Sequence, residues 1–90
     1  MSKIIKGSRV LVRTNNAGVH YGTLESREGQ EIHLSNARRI WSWQGALSLS
    51  EIASKGLDVK NSKLSVPVEE IILPTSIEVI AISQVSNLPA

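Results

Sequence analysis

Cysteine is absent from the 90 residues. Disulfides and thiolate metal sites are therefore excluded, and a reducing compartment is the simple expectation. Phenylalanine is absent too, and the aromatic residues are Tyr21, Trp41 and Trp43. No apolar run approaches the roughly 18 residues of a membrane span. The first residues, Met-Ser-Lys-Ile-Ile-Lys-Gly, lack a signal-peptide core. A soluble, cytoplasmic chain with no membrane partner is expected. Long basic runs are missing as well: no Lys/Arg cluster exceeds two in a row, and the net charge is +2. A nucleic-acid binder of this size usually carries a stronger basic stripe, so a small anion suits the chain better than a polymer.

The signatures of catalysis are also missing. There is no Gly-rich phosphate loop and no Gly-x-Ser-x-Gly elbow. His20 and His33 stand on separate segments without Cys or clustered carboxylates, a poor metal set. They read as surface or half-buried strand residues. His33-Leu34-Ser35 supplies half of the paired His-x-Ser/Thr signature of two-histidine phosphoesterases, but Tyr21 and Gly22 follow His20, so the second half is lacking. Glu69 and Glu70 are adjacent, point to opposite faces of a strand, and cannot act together as acid and base. No enzyme, cofactor or metal site is expected.

Ninety residues make one domain, 1–90. Arg9 to Thr14 alternates as a strand, and Asn15-Asn16-Ala17-Gly18 is a turn. Val19 to Ser26 is a second strand, in which Gly22 marks a bulge or a close backbone approach. Arg27 to Gln30 is a tight turn, Glu31 to Leu34 a third strand, and Asn36 to Trp43 a fourth or an extended segment. Leu47, Leu49, Ile52 and Ala53 fit one face of a short helix. Ser48 and Glu51 form its capping box, with Glu51 reaching back to Ser48, and Gly56 is its stop. Leu57 to Lys63 reads as a polar loop. Leu64 to Val68 is an edge strand or a strand start because of Pro67, Glu69 to Leu73 continues it, and Ile77 to Ile82 is the last strand. The tail from about Ser83 has little to bury and is expected to fray. The fold class is mainly β, with one short inserted helix and a small antiparallel sheet or partly open barrel.

What the chain does have is concentrated between residues 36 and 49, where both tryptophans follow Arg38 and Arg39. In an extended segment Arg39, Trp41 and Trp43 share one face: a guanidinium beside two indoles, suited to a flat ring carrying a phosphate. The competing reading makes the indoles core, since a chain without Phe needs bulk. Adjacent arginines face opposite ways, so Arg38 is left to pair with a carboxylate or a second subunit. Gly45 and Ala46, just before the helix, offer free amides as an anion cradle. Residues 1–24 carry Lys3, Lys6, Arg9 and Arg13 and no acid, while residues 64–90 carry Glu69, Glu70 and Glu78 and no base. That asymmetry favours head-to-tail pairing of identical subunits. The candidate ligand set is Tyr21, Arg38, Arg39, Trp41, Trp43, Gly45 and Ala46.

The string Ala37-Arg-Arg-Ile-Trp-Ser-Trp-Gln-Gly-Ala46, with Leu49-Ser-Glu-Ile-Ala53, Leu64-Ser-Val-Pro-Val68 and the upstream Ala17 to Leu24, resembles a family of small phage-encoded proteins of unknown function. The resemblance covers roughly Arg9 to Ile80. It implies a phage origin and a role in the cytoplasm of an infected bacterium. By analogy with unrelated phage proteins of similar size, the expected role is anti-defence sequestration. A homo-oligomer would trap a cyclic nucleotide or cyclic ADP-ribose-like immune signal without cleaving it. The alternatives are docking of the Arg-Trp segment on a host protein and single-strand nucleic-acid binding.

Overall fold

The alternation Arg-Val-Leu-Val-Arg-Thr sends apolar side chains to both sides of a strand, so both sides must be covered. A computed structural model, which describes residues 4–15 and 17–90, shows how. In β1 (Arg9–Thr14) Val10 and Val12 enter an inner core with Leu24, Ile32, Leu34, Ala37 and Leu73. Leu11 enters an outer core with Tyr21, Ile40, Ile52, Ala53, Leu57 and Leu88. Of the turn predicted at 15–18, Asn16 lies outside the described residues, and Gly18 has the positive φ (80°) that a turn uses.

β2 (Val19–Glu28) and β3 (Glu31–Ser42) form a hairpin whose turn is Gly29-Gln30, with Glu28 paired to Glu31. After α1 (Leu49–Lys55) and a 3-10 turn (Val59–Asn61) come β4 (Lys63–Leu64), β5 (Val68–Leu73) and β6 (Ser76–Ala81). The sheet runs β4-β3-β2-β1-β6, with β5 also pairing to β3, and every pairing is antiparallel. β5 and β6 lie at opposite edges yet are separated only by Pro74 and Thr75. So short a link forces the sheet to curl until its edges approach, although it does not close. The expected mainly β architecture with one helix is therefore present.

Residues 31–42 form one strand where two pieces were expected. Asn36 holds φ at 48° and is the extra residue of a bulge, where the β2–β3 register shifts between Tyr21 and Thr23. The bulge reverses the alternation: Ile32 and Leu34 point to the inner core, and after Asn36 so does Ala37. Gly22 lies opposite. A Cβ there would sit 2.9 Å from the Ser35 carbonyl oxygen and 3.0 Å from the Ala37 Cα, so the expected close approach is present.

α1 covers the outer face with Ile52 and Ala53 fully buried and Leu49 half-buried. Each such side chain contributes about 1.5–3 kcal/mol when it leaves water, less for alanine. Leu47, assigned by pattern to the same face, precedes the helix and is 96% exposed. Ser48 Oγ accepts from the Glu51 amide (3.2 Å), but Glu51 Oε2 accepts from the amide of Leu47 (2.9 Å) rather than of Ser48. Gly56 ends the helix at φ 100°, its amide donating to the Ile52 carbonyl (2.8 Å). The segment from Leu57 is not wholly polar, because Leu57 itself is buried. Of the strand expected over 64–68, Leu64 pairs with Ile40 and Val68 with Ala37, while the stretch between them leaves the ladder at Pro67, which has no N–H to give, so that β4 and β5 are separate strands.

The tail, which the sequence gives little to bury, is hydrogen-bonded and packed in the structure. Ser83 donates through its amide to Ala53 (2.9 Å) and through its hydroxyl to Ser54 (2.6 Å). The Asn87 amide brackets the Leu57 backbone at 2.9 and 2.7 Å. Leu88 is 5% exposed in the outer core. The segment 83–90 completes the cover that the seven-residue helix is too short to provide.

Candidate functional site

Beyond Ala37 the inner face of β3 continues through Arg39 and Trp41, and on β2 it continues from Leu24 through Gly22 to His20. At this end of the sheet the inner face turns from aliphatic to cationic and aromatic. Arg39 Nη2 donates to the Ala17 carbonyl (2.7 Å) and Nε to His20 Nε2 (3.3 Å). The guanidinium carbon stands 4.7 Å from the centre of the Trp41 ring. Trp41 is 63% exposed. Ala17, Gly18, Arg39, Ile40 and Trp41 line an open recess of about 260 Å³.

The backbone behind this pair is clamped. The Arg39 amide donates to Ser65 Oγ (2.8 Å), and the Ser65 amide donates to the Arg39 carbonyl (2.9 Å). His20 is buried, and because Nε2 accepts from Arg39 its proton resides on Nδ1, which has no partner among the described residues. Burial, reinforced by the Arg39 charge, pulls the His20 pKa from its ordinary 6.5 to about 4. His20 is thus neutral at pH 7. Arg39 is held by two neutral acceptors and, among the described residues, by no carboxylate, so its charge is left uncompensated. A fixed, unneutralised guanidinium against an open indole can pair with an anion and stack a flat ring.

The other predicted site residues go elsewhere. β3 ends at Ser42, and the β3–β4 register shifts between Ile40 and Ser42, so Trp43 does not share the Arg39 face. It packs half-buried against the outer core. Arg38 also points outward, donating to the Ala90 oxygen through Nε (3.1 Å) and Nη2 (2.8 Å) and to the Ser65 carbonyl (3.3 Å). It fastens the tail. Tyr21 is 1% exposed and donates to the Pro89 carbonyl (2.9 Å), with Arg9 5.7 Å from its ring centre. Burial raises its pKa, opposed by the charges of Arg38 and Arg9. It is a core residue with no surface for a ligand.

Gly45 is a packing glycine: at φ 84° a Cβ would meet the Asp58 amide at 2.9 Å. The anion cradle expected at Gly45, Ala46 and the helix start is not assembled. The Leu47 amide is taken by the Glu51 carboxylate, which puts a negative charge where a phosphate was expected. Of the seven candidates, the structure brings together Arg39 and Trp41. It adds His20, Ala17 and Ser65, of which only His20 carried a signal in the sequence: counting back from the Gly29-Gln30 turn sets it opposite Arg39.

The family described as a domain of unknown function (DUF6948) matches residues 7–87, and the chain belongs to that family. No curated protein and no solved structure matches it significantly.

Proposed function

We propose that the protein binds a small phosphate-bearing ligand with a flat ring, of the cyclic nucleotide or cyclic ADP-ribose kind, and holds it without transforming it. The observation that carries this reading is the Arg39–Trp41 pair. An arginine with no counter-carboxylate among the described residues is fixed by His20 and Ala17 against an indole whose surface faces water. Stacking a base on such a ring is worth about 1–3 kcal/mol. A hydrogen bond from the guanidinium to a phosphate adds about 1.5–3 kcal/mol. Two or three contacts of this size total at most about 9 kcal/mol before ordering costs, so one subunit alone binds no tighter than about micromolar. The absence of transformation is supported by His20, whose Nε2 is occupied by Arg39 and whose pKa of about 4 is too low for a base at neutral pH.

The biological setting is part of the same proposal: a phage protein in the cytoplasm of an infected bacterium, sequestering a host immune signal as a homo-oligomer. The recess of about 260 Å³ is smaller than most small-molecule sites, which supports a second subunit closing over the ligand. A second reading has its own observation. Trp and Arg are the commonest anchors of protein interfaces, and the 63% exposure of Trp41 suits docking on a host protein.

The test is native mass spectrometry of the protein mixed with cyclic diadenylate, cyclic GMP–AMP, cyclic ADP-ribose isomers and a short oligonucleotide. An oligomer carrying one intact nucleotide mass, lost in Trp41→Ala, is the expected result. A bare protein across the panel overturns the reading and favours the host-protein interface.

A further inference from the structure

The two tryptophans lie on opposite faces of the sheet, and the second has a recess of its own. It measures about 460 Å³ and is lined by Arg13, Val19, Trp43, Leu49, Glu78 and the serines at the helix start. That volume is within the 300–1,000 Å³ of typical small-molecule clefts. Val19, Trp43 and Leu49 are half-buried members of the outer core, so the recess has an apolar floor with part of an indole exposed. Arg13 and Glu78 stand directly opposite each other across β1 and β6. Their contact is long, 3.5 Å from Nη1 to Oε1, and both side chains are about half exposed, at 54% and 49%. Among the described residues neither makes another polar contact. An exposed pair of this length is worth little to the fold and opens at little cost.

We infer that this recess is a second binding site, selective for a planar heterocycle that presents two N–H donors and a carbonyl along one edge, as guanine does. The ring lies against the Trp43 indole. The Glu78 carboxylate, an acceptor only, takes the two N–H groups, and Arg13, a donor only, takes the carbonyl oxygen. An indole face stacks any base, so discrimination comes from the charged pair. Adenine places a ring nitrogen acceptor where guanine has a donor, against the carboxylate, and a site built to pair polar groups rejects a ligand that leaves them unpaired. Nothing in this argument depends on Arg39 or Trp41, so it stands or falls separately from the function proposed above.

The experiment uses the Trp41→Phe chain, in which Trp43 is the remaining indole, titrated with guanosine and with adenosine while tryptophan emission is followed. Saturable quenching by guanosine, with adenosine about tenfold weaker or more, is expected. Glu78→Gln in the same background should weaken guanosine by a similar factor and erase the preference. Calorimetry of guanosine into the unaltered chain and into the Glu78→Gln single variant repeats the comparison without touching either tryptophan. No saturable binding, equal binding of the two nucleosides, or guanosine affinity unchanged by Glu78→Gln overturns the inference.

Discussion

Acidification should weaken the fold through His20. The folded chain holds this imidazole buried and neutral, with Nε2 accepting from Arg39, at a pKa of about 4, while in the unfolded chain it titrates near 6.5. A lowered histidine pKa means that the unfolded state binds the proton first. Stability is therefore full above pH 6.5, falls as the pH drops through the interval from 6.5 to about 4, and loses nothing more to this group below it. Each pH unit in the interval costs about 1.4 kcal/mol, so the full loss is about 3 kcal/mol. For a domain whose total stability is about 5–15 kcal/mol this is a large share. The assay is urea unfolding at pH 7.5, 6.0 and 4.5 of the natural chain beside His20→Gln. Glutamine offers Arg39 an acceptor but does not titrate. Carboxylates and His33 are common to both chains and cancel in the difference. The natural chain should lose about 2–3 kcal/mol more than the variant between pH 7.5 and 4.5. Parallel losses in the two chains would refute the reasoning, as would an NMR titration placing the His20 pKa at or above 6.5.

Gly22→Ala should destabilise the protein by about 1–3 kcal/mol in the same urea assay, because its Cβ meets backbone atoms of Ser35 and Ala37 that cannot step aside. Leu88→Ala should cost about 2–4 kcal/mol and release the tail, seen as faster amide exchange at Leu57, whose N–H is held by Asn87. Trp41→Ala should change stability by less than about 1 kcal/mol, since it loses an exposed cation–π contact, yet abolish capture of the nucleotide panel.

Strand and helix positions were legible wherever one local rule governed them. β1 was marked by its alternation, α1 by Ser48, Glu51 and Gly56, and the hairpin by Gly29. The tail was not legible, because its anchors are far away in sequence: Leu88 fills a core built by residues 11 to 57, and Arg9, Tyr21 and Arg38 meet its carbonyl groups. A short polar segment carries no sign that a sheet apolar on both faces needs it as cover. The capping box was readable, but its consequence for the neighbouring amides was not, since Glu51 bonds one residue earlier than the simple pattern and closes the anion cradle.

The site turned on parity. In β3 one residue, Asn36, decides which side chains face which core, because a single extra residue exchanges the two faces from that point onward. Without it, Arg39 and Trp41 would continue the outward row of His33 and Ser35, on the side covered by the helix and tail. With it they line the inner face beside His20, and Arg38 and Ile40 take the outer side. A second register shift, between Leu24 and Ser26 on β2, offsets the first, which is why His20 still falls opposite Arg39 when pairs are counted from the Gly29-Gln30 turn. A third shift, between Ile40 and Ser42, parts Trp43 from Trp41. Counting by twos from Arg39 therefore reaches Trp41 correctly and fails at Trp43, and the two indoles that look like one clamp in the sequence stand as walls of two separate recesses.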